Sequence, residues 1–296
     1  MQTEAAAVRA VAAARSATRR LTLADGRSLA WLECGDPSGS PLLHFHGTGF
    51  CRFEVLSGHA VAKVLNVRLI AFDRPGFGRS SPMIGDALLN VARDAIALMD
   101  SLEIERFGVS GFSGGFPHAL ATAGVAPARV ASAVAINTAG DASHPSWRAL
   151  PRTTRLLLSV ASRPIFARWL WPLMFADMRK AIKYNPTPGI VSLFEAGFAE
   201  GSRNGDIAAI RELDLFYRLG WRRVWSTVKT DVLFVHGAKD GMLPFVRSLA
   251  EAEKARIATI PGDHCDWATD ETWSTVMNAY SLEPTPLHTR PNNGSN

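Results

Sequence analysis

Cysteine is scarce in this chain. There are three, Cys34, Cys51 and Cys265, an odd number, widely spaced and without a C-x-x-C pair. Their pattern excludes a disulfide-built scaffold and a thiolate zinc or redox site, and it fits a reducing compartment. Each thiol reads as a small core filler. Long apolar runs are also missing: Arg, Pro or Gly interrupts every candidate before about 18 residues, so stable membrane insertion is not expected. The N-terminal MQTEAAAVRAVAAARSATRR lacks the apolar core of a secretory signal, because Arg9 and Arg15 break it. A cytoplasmic location is the expectation. The Arg- and Ala-rich composition reads as a loose helical extension, with an organelle-targeting peptide as the alternative.

What is present is ordinary globular material. The chain has 296 residues, 47% hydrophobic and 20% charged, enough for one large α/β domain or a domain carrying a substantial insertion. The net charge of +5 is unevenly spread: residues 141–230 hold fourteen basic against seven acidic residues, and residues 1–20 hold four against one. No nucleic-acid reader motif accompanies these clusters, so a nucleic-acid partner is set aside.

Turn chemistry and hydrophobic period divide the chain. Residues 20–23 and 28–33 read as strands around the Asp25-Gly26 turn, and Leu42 to His46 reads as the next strand. Phe53 to Leu65 has helical spacing, and 67–72 is a β-rich run that stops at Asp73. A helix over about 86–102 precedes a strand at 107–112, and an Ala-rich helix follows it to about Gly124. Further strands are expected at 129–136, 231–235 and 255–260, with helices near 244–254 and 270–280. Alternating strands and helices imply a doubly wound, mostly parallel sheet of the α/β class. Residues 141–230 interrupt that alternation with helical, Trp- and Arg-rich sequence and read as an inserted lid. The domain reading is therefore an N-terminal extension over 1–18, a core over 19–140 and 231–282, a helical cap over 141–230, and a disordered Pro- and Asn-rich tail over 283–296.

Gly111-Phe112-Ser113-Gly114-Gly115 matches G-x-S-x-G directly after one predicted strand and at the opening of a helix. So tight an elbow demands small flanking residues, and it lifts the Ser113 hydroxyl toward a helix N-terminus. A serine nucleophile needs a base oriented by a carboxylate. Asp240 and His264 each follow a predicted strand, giving the order Ser, Asp, His at strand ends, where open α/β sheets place ligands. His264 would take and return the proton, and Asp240 would hold its imidazole. Asp263 and Asp266 compete for the carboxylate role but flank His264 too closely to reach its far nitrogen. His118 falls in the helix after the elbow, and His44, His46 and His236, within or beside strands, read as buried, hydrogen-bonded histidines. The expected oxyanion hole combines the Gly114 amide with the Thr48 amide, and the Thr48 hydroxyl as a further candidate, in the loop His46-Gly47-Thr48-Gly49.

The set His46-Gly47, Asp73-Arg74-Pro75-Gly76-Phe77-Gly78-Arg79-Ser80, Gly111 to Gly115, Asp240 with Pro244, and Gly262 with His264 resembles the α/β-hydrolase superfamily over about 22–280. The resemblance implies an α/β-hydrolase fold with a helical cap inserted after the sixth strand, and it gives the 73–80 loop a mainly structural role beside the active site. Branches acting on haloalkanes or epoxides carry aspartate at the elbow; Ser113 disfavours those chemistries. Asp263 stands where the family commonly has a small residue.

Together these features read as a metal-free, cofactor-free serine hydrolase cleaving a carboxylic ester or related acyl compound, small and apolar, through an acyl-enzyme. Acyl transfer by the same residues and a low-turnover receptor are the alternatives. Residues 156–160 and 165–175 admit three readings: an acyl pocket over Ser113 with Arg152, Arg155, Arg163 or Arg168 at its mouth, the core of the cap under a solvated basic face, or an interfacial helix on anionic lipid.

Overall fold

The computed structural model describes residues 4–83, 85, 87–183 and 189–281. The tail expected over 283–296 lies outside them.

Two antiparallel strands open the sheet, β1 (Arg19–Thr22) and β2 (Ser28–Gly35). Gly26, at φ +82°, makes the turn between them. Six more strands follow: β3 (Ser40–Phe45), β4 (Val67–Phe72), β5 (Phe107–Phe112), β6 (Val130–Ile136), β7 (Val232–Gly237) and β8 (Arg256–Ile260). Their order is β1-β2-β4-β3-β5-β6-β7-β8, with β2 antiparallel to β4 and all later pairs parallel. The winding reverses between β3 and β5. At such a switch point the two following loops diverge to opposite faces and leave a crevice outside the carboxyl ends of the strands.

The parallel strands are apolar on both sides because helices cover both faces. Side chains alternate along each strand, so Leu43 and Phe45, Ile70 and Phe72, and Val232 and Phe234 share one core, while Leu42, Leu69 and Ala71, and Leu233 and Val235 share the other. Helices α3 (Ala87–Ser101), α4 (Phe116–Val125) and α9 (Leu243–Glu253) contribute to the first. In α3, Leu88, Val91, Ala92, Ala95, Leu98 and Met99 repeat at helical spacing and are buried together. Helices α2 (His59–Val64) and α10 (Asp270–Ser281) contribute to the second. The helix expected over 53–65 is divided: Arg52–Gly58 is a 3-10 turn and only His59–Val64 is α-helical. The division falls at Gly58, where the Trp273 ring stands so close that a Cβ would meet it at 2.6 Å.

Between β6 and β7 the described residues contain helices and turns and no strand. They form α5 (Arg152–Ala161), α6 (Pro164–Lys183), α7 (Ile190–Gly201) and α8 (Ile207–Asp214), then a π-turn over Leu215–Leu219. The N-terminal helix α1 (Glu4–Ala17) is docked rather than loose: Ala7, Val11 and Ala14, on one stripe, are buried, and α1 packs against α7 and the 52–58 turn. The Thr18 hydroxyl also accepts from Arg52 Nε at 3.0 Å.

Candidate active site

Ser113 follows β5 with φ +48°, a left-handed conformation that costs a side-chain-bearing residue about 1–2 kcal/mol. The turn admits only glycine at two flanking positions. A Cβ on Gly111 would lie 2.5 Å from the Gly115 carbonyl carbon, and one on Gly115 would lie 2.0 Å from the Phe45 oxygen. The strain therefore has an identifiable support, the close approach of β5, β3 and α4.

From this elbow Ser113 Oγ stands 3.0 Å from His264 Nε2, and His264 Nδ1 stands 2.8 Å from Asp240 Oδ2. The Met242 amide donates to Asp240 Oδ1 at 2.8 Å. Burial alone would raise the Asp240 pKa, but the two imidazoles beside it, His236 and the hydrogen-bonded His264, outweigh it and hold the carboxylate well below its ordinary range. His236 Nε2 lies 3.2 Å from Asp240 Oδ2, outside hydrogen-bonding alignment. His236 thus departs from the expected hydrogen-bonded burial: it is enclosed and faces the carboxylate without an aligned bond. Asp263 and Asp266 make local turns instead, Asp263 Oδ1 accepting the Cys265 amide and Asp266 Oδ2 accepting the Asp263 amide.

Asn137, which the sequence reading did not single out, ties this region together. Its Oδ1 accepts the Gly237 amide at 2.8 Å, and its Nδ2 donates to the Asp263 and His264 carbonyls, both at 3.2 Å. One buried amide at the end of β6 thereby fixes the ends of β7 and of the His264 loop. Asn137 sits at φ +42°, a conformation asparagine tolerates better than most residues.

The loop after β3 is held from two sides. Glu54 accepts the Gly47 amide on Oε2 and bonds His44 Nε2 on Oε1, each at 2.9 Å, and His44 Nδ1 reaches Ser110. The Thr48 hydroxyl donates to Glu212 Oε2 at 2.6 Å, so it is not offered as a further oxyanion donor. The Thr48 amide has no hydrogen-bond partner among the described residues. Thr48 and Gly114 are adjacent: a Cβ on Gly114 would lie 2.1 Å from Thr48 Oγ1.

Glu212 comes from α8 and was also missed. Arg74 Nε and Nη2 donate to its two oxygens at 2.8 and 2.7 Å, and His118 Nε2 lies 3.1 Å from Oε1. Arg74 also donates to the His46 carbonyl, and its amide donates to His46 Nε2 at 3.1 Å. Burial disfavours the Glu212 charge, yet Arg74 and the His118 hydrogen bond prevail and hold its pKa well below the ordinary value. His46, by contrast, is kept neutral by burial and by the Arg74 charge. The 73–80 loop therefore does more than pack, since Arg74 joins the β3 loop to the inserted segment. A second buried bridge runs beside it, Arg52 donating to Glu200 of α7 at 2.9 Å and to Asp73, with Arg79 donating to the same Glu200 at 2.7 Å.

The aromatic stretch of the inserted segment divides. Ala167 and Trp171 are buried, and Cβ atoms on Gly49 and Gly114 would meet Trp171 with Phe198, and Phe216, respectively. Leu156, Leu157, Ile165, Trp169 and Leu173 are exposed, so these side chains do not form an acyl pocket.

Comparison with known proteins agrees with this architecture. Residues 42–275 match the Alpha/beta hydrolase family. A segment of 150 residues is 31% identical to "Uncharacterized hydrolase YcgS" of Bacillus subtilis, covering 51% of this chain and 50% of that protein. Another of 117 residues is 39% identical to the "Dihydrolipoyllysine-residue acetyltransferase component of acetoin cleaving system" of Pseudomonas putida, covering 39% of this chain and 31% of that one. These matches span a third to a half of the relatives' length. Among solved structures, the esterase RhEst1 from Rhodococcus sp. ECU1013 superposes with TM-score 0.67 at 21% identity, covering 90% of this chain and 99% of that one. The enol-lactonase from Burkholderia xenovorans LB400 gives TM-score 0.65 at 19% identity, covering 88% and 98%. At these identities the structural likenesses speak for the fold, and the family match, which spans the elbow and both later loops, speaks for descent: the chain belongs to the Alpha/beta hydrolase family.

Proposed function

We propose that the protein is a serine hydrolase that cleaves a carboxylic ester or related acyl compound through an acyl-enzyme. The observation that carries this reading is the continuous chain from Ser113 Oγ through His264 to Asp240, at 3.0 and 2.8 Å, at the switch point of the sheet. In the mechanism, Ser113 Oγ attacks the acyl carbon while its proton passes to His264 Nε2. Asp240, ionised, stabilises the imidazolium so formed. The negative charge on the acyl oxygen is met by the Thr48 and Gly114 amides, each such donor typically worth about 100- to 1,000-fold in rate. His264 then returns the proton to the leaving group as the bond to it breaks. Water, deprotonated by His264, attacks the acyl-enzyme, and collapse releases the acid and restores Ser113.

Trp171, Phe198 and Phe216 beside the Gly49 and Gly114 turns support an apolar acyl group. Hydrolysis of short p-nitrophenyl esters tests the proposal. Ser113→Ala and His264→Ala are expected to lose activity with an unchanged circular dichroism spectrum, and full activity in either would refute it.

A further inference from the structure

One face of the inserted segment is apolar and exposed. Helix α5 buries none of its residues completely. Leu156 and Leu157 are 67% and 68% exposed, and Val160 is exposed beside them. On α6, which packs against α5, Ile165, Trp169 and Leu173 are 70%, 76% and 65% exposed and lie on one stripe, four residues apart. Single exposed leucines are normal on a soluble protein, but a contiguous set on two adjoining helices marks an interaction surface.

The charge of α5 and of the segments beside it has one sign. From Ala142 to Ala176 there are five arginines and no acidic residue. Arg152 and Arg163 lie on the same stripe of α5 and its end as Leu156 and Val160. Arg155 of α5 also lines an open pocket of about 420 Å³, together with Arg148, Arg222, Ser143, His144 and Trp147. None of the guanidinium groups of Arg148, Arg155 and Arg222 has a carboxylate partner among the described residues, and the Arg155 Nε is enclosed without a hydrogen-bond partner. Among the described residues two carboxylates reach the pocket's lining: Glu253 is taken by His144 Nε2 at 3.0 Å, and Asp141 Oδ1 accepts the Ser143 amide and hydroxyl at 2.9 and 2.6 Å. Converging guanidinium forks suit the oxygens of a phosphate.

We propose that the α5–α6 face docks on an anionic phospholipid surface, its apolar side chains entering the boundary between headgroups and acyl chains and a lipid phosphate sitting among Arg148, Arg155 and Arg222. Aliphatic residues, a tryptophan and flanking arginines on one face are the composition of a helix that lies in the membrane interface. A second copy of the chain fits poorly, because a two-fold contact through α5 would set its arginines against their own copies. The proposal is independent of the serine chemistry, and its test does not read activity.

The full chain would be floated with vesicles of phosphatidylcholine alone and of phosphatidylcholine mixed with phosphatidylglycerol. Flotation is expected only with the anionic vesicles. Since each basic residue at such a surface contributes about 1 kcal/mol, or about fivefold, Arg155→Ala combined with Arg222→Ala should lower partitioning by about 25-fold. Trp169→Ser and Leu157→Ser, both at exposed positions, should each lower it as well. Absence of flotation, equal flotation with neutral vesicles, or variants that float like the parent would overturn the proposal. So would release by inorganic phosphate at constant ionic strength, which would identify a small phosphate ligand, or a dimer in sedimentation that Trp169→Ser dissociates.

Discussion

Thr48 donates its hydroxyl to Glu212 across 2.6 Å, joining two residues 164 positions apart. The loop that carries one proposed oxyanion donor is thereby held by the inserted segment, and Arg74 and His118 hold Glu212 in turn. Glu212→Gln keeps the shape but removes the charge opposite a buried guanidinium. Breaking a buried ion pair from one side costs about 3–5 kcal/mol. Displacing the Thr48 amide should lower kcat by about 10- to 100-fold, part of what one oxyanion donor supplies, with a much smaller change in KM. Steady-state kinetics on a short ester and urea unfolding read the two effects separately.

Acid stability should follow from the same residue and from Asp240. Both carboxylates titrate below their ordinary values in the folded chain. A depressed folded pKa means that the unfolded chain binds the proton first, so the stabilisation is complete above about pH 4, the unfolded carboxylate value, and is lost as pH falls toward the folded value. The urea midpoint of the parent protein should fall steeply below about pH 4, and Glu212→Gln should flatten that slope. An unchanged slope in the variant would show that Glu212 is not held ionised.

The elbow makes a steric prediction with an internal control. Gly115→Ala places a methyl group 2.0 Å from the Phe45 carbonyl oxygen, backbone that cannot yield without moving β3. Overpacking of this kind costs about 3 kcal/mol, and thermal melting should show it. Gly241→Ala meets nothing within 4 Å, and its melting temperature should stay within a few degrees of the parent's.

Asn137→Ala should uncouple the His264 loop. It strips the Gly237 amide and two carbonyls of their partner and places alanine in a left-handed conformation. A loss of about 2–4 kcal/mol is expected from one or two buried unsatisfied groups plus the backbone penalty. Hydrogen exchange at Gly237 should rise selectively, and hydrolysis of a short ester, if it proceeds as proposed, should fall although Ser113, Asp240 and His264 are unaltered.

The strands were legible because they are short β-rich runs punctuated by Gly, Pro and Asp, and the positions of Ser113, Asp240 and His264 beyond strand ends could be read from the same punctuation. Glu212 was not legible: on an amphipathic helix a glutamate reads as solvated, and its partners Thr48, Arg74 and His118 lie 94 to 164 residues away. Asn137 was hidden for a similar reason, since its bonds close gaps of 100 to 127 residues. Docking of α1 rests on Ala7, Val11 and Ala14, residues small enough to read as mere helix formers. Phe53 to Leu65 keeps helical spacing through a break at Gly58, which lies against the distant Trp273 ring.

The most direct measurement is reaction with a fluorophosphonate probe, followed by mass mapping of the adduct. A strained serine activated by His264 should give one covalent adduct, on Ser113, forming rapidly in the parent protein and far more slowly in His264→Ala. No adduct, or an adduct on another residue with Ser113 unmodified, would contradict the proposed chemistry.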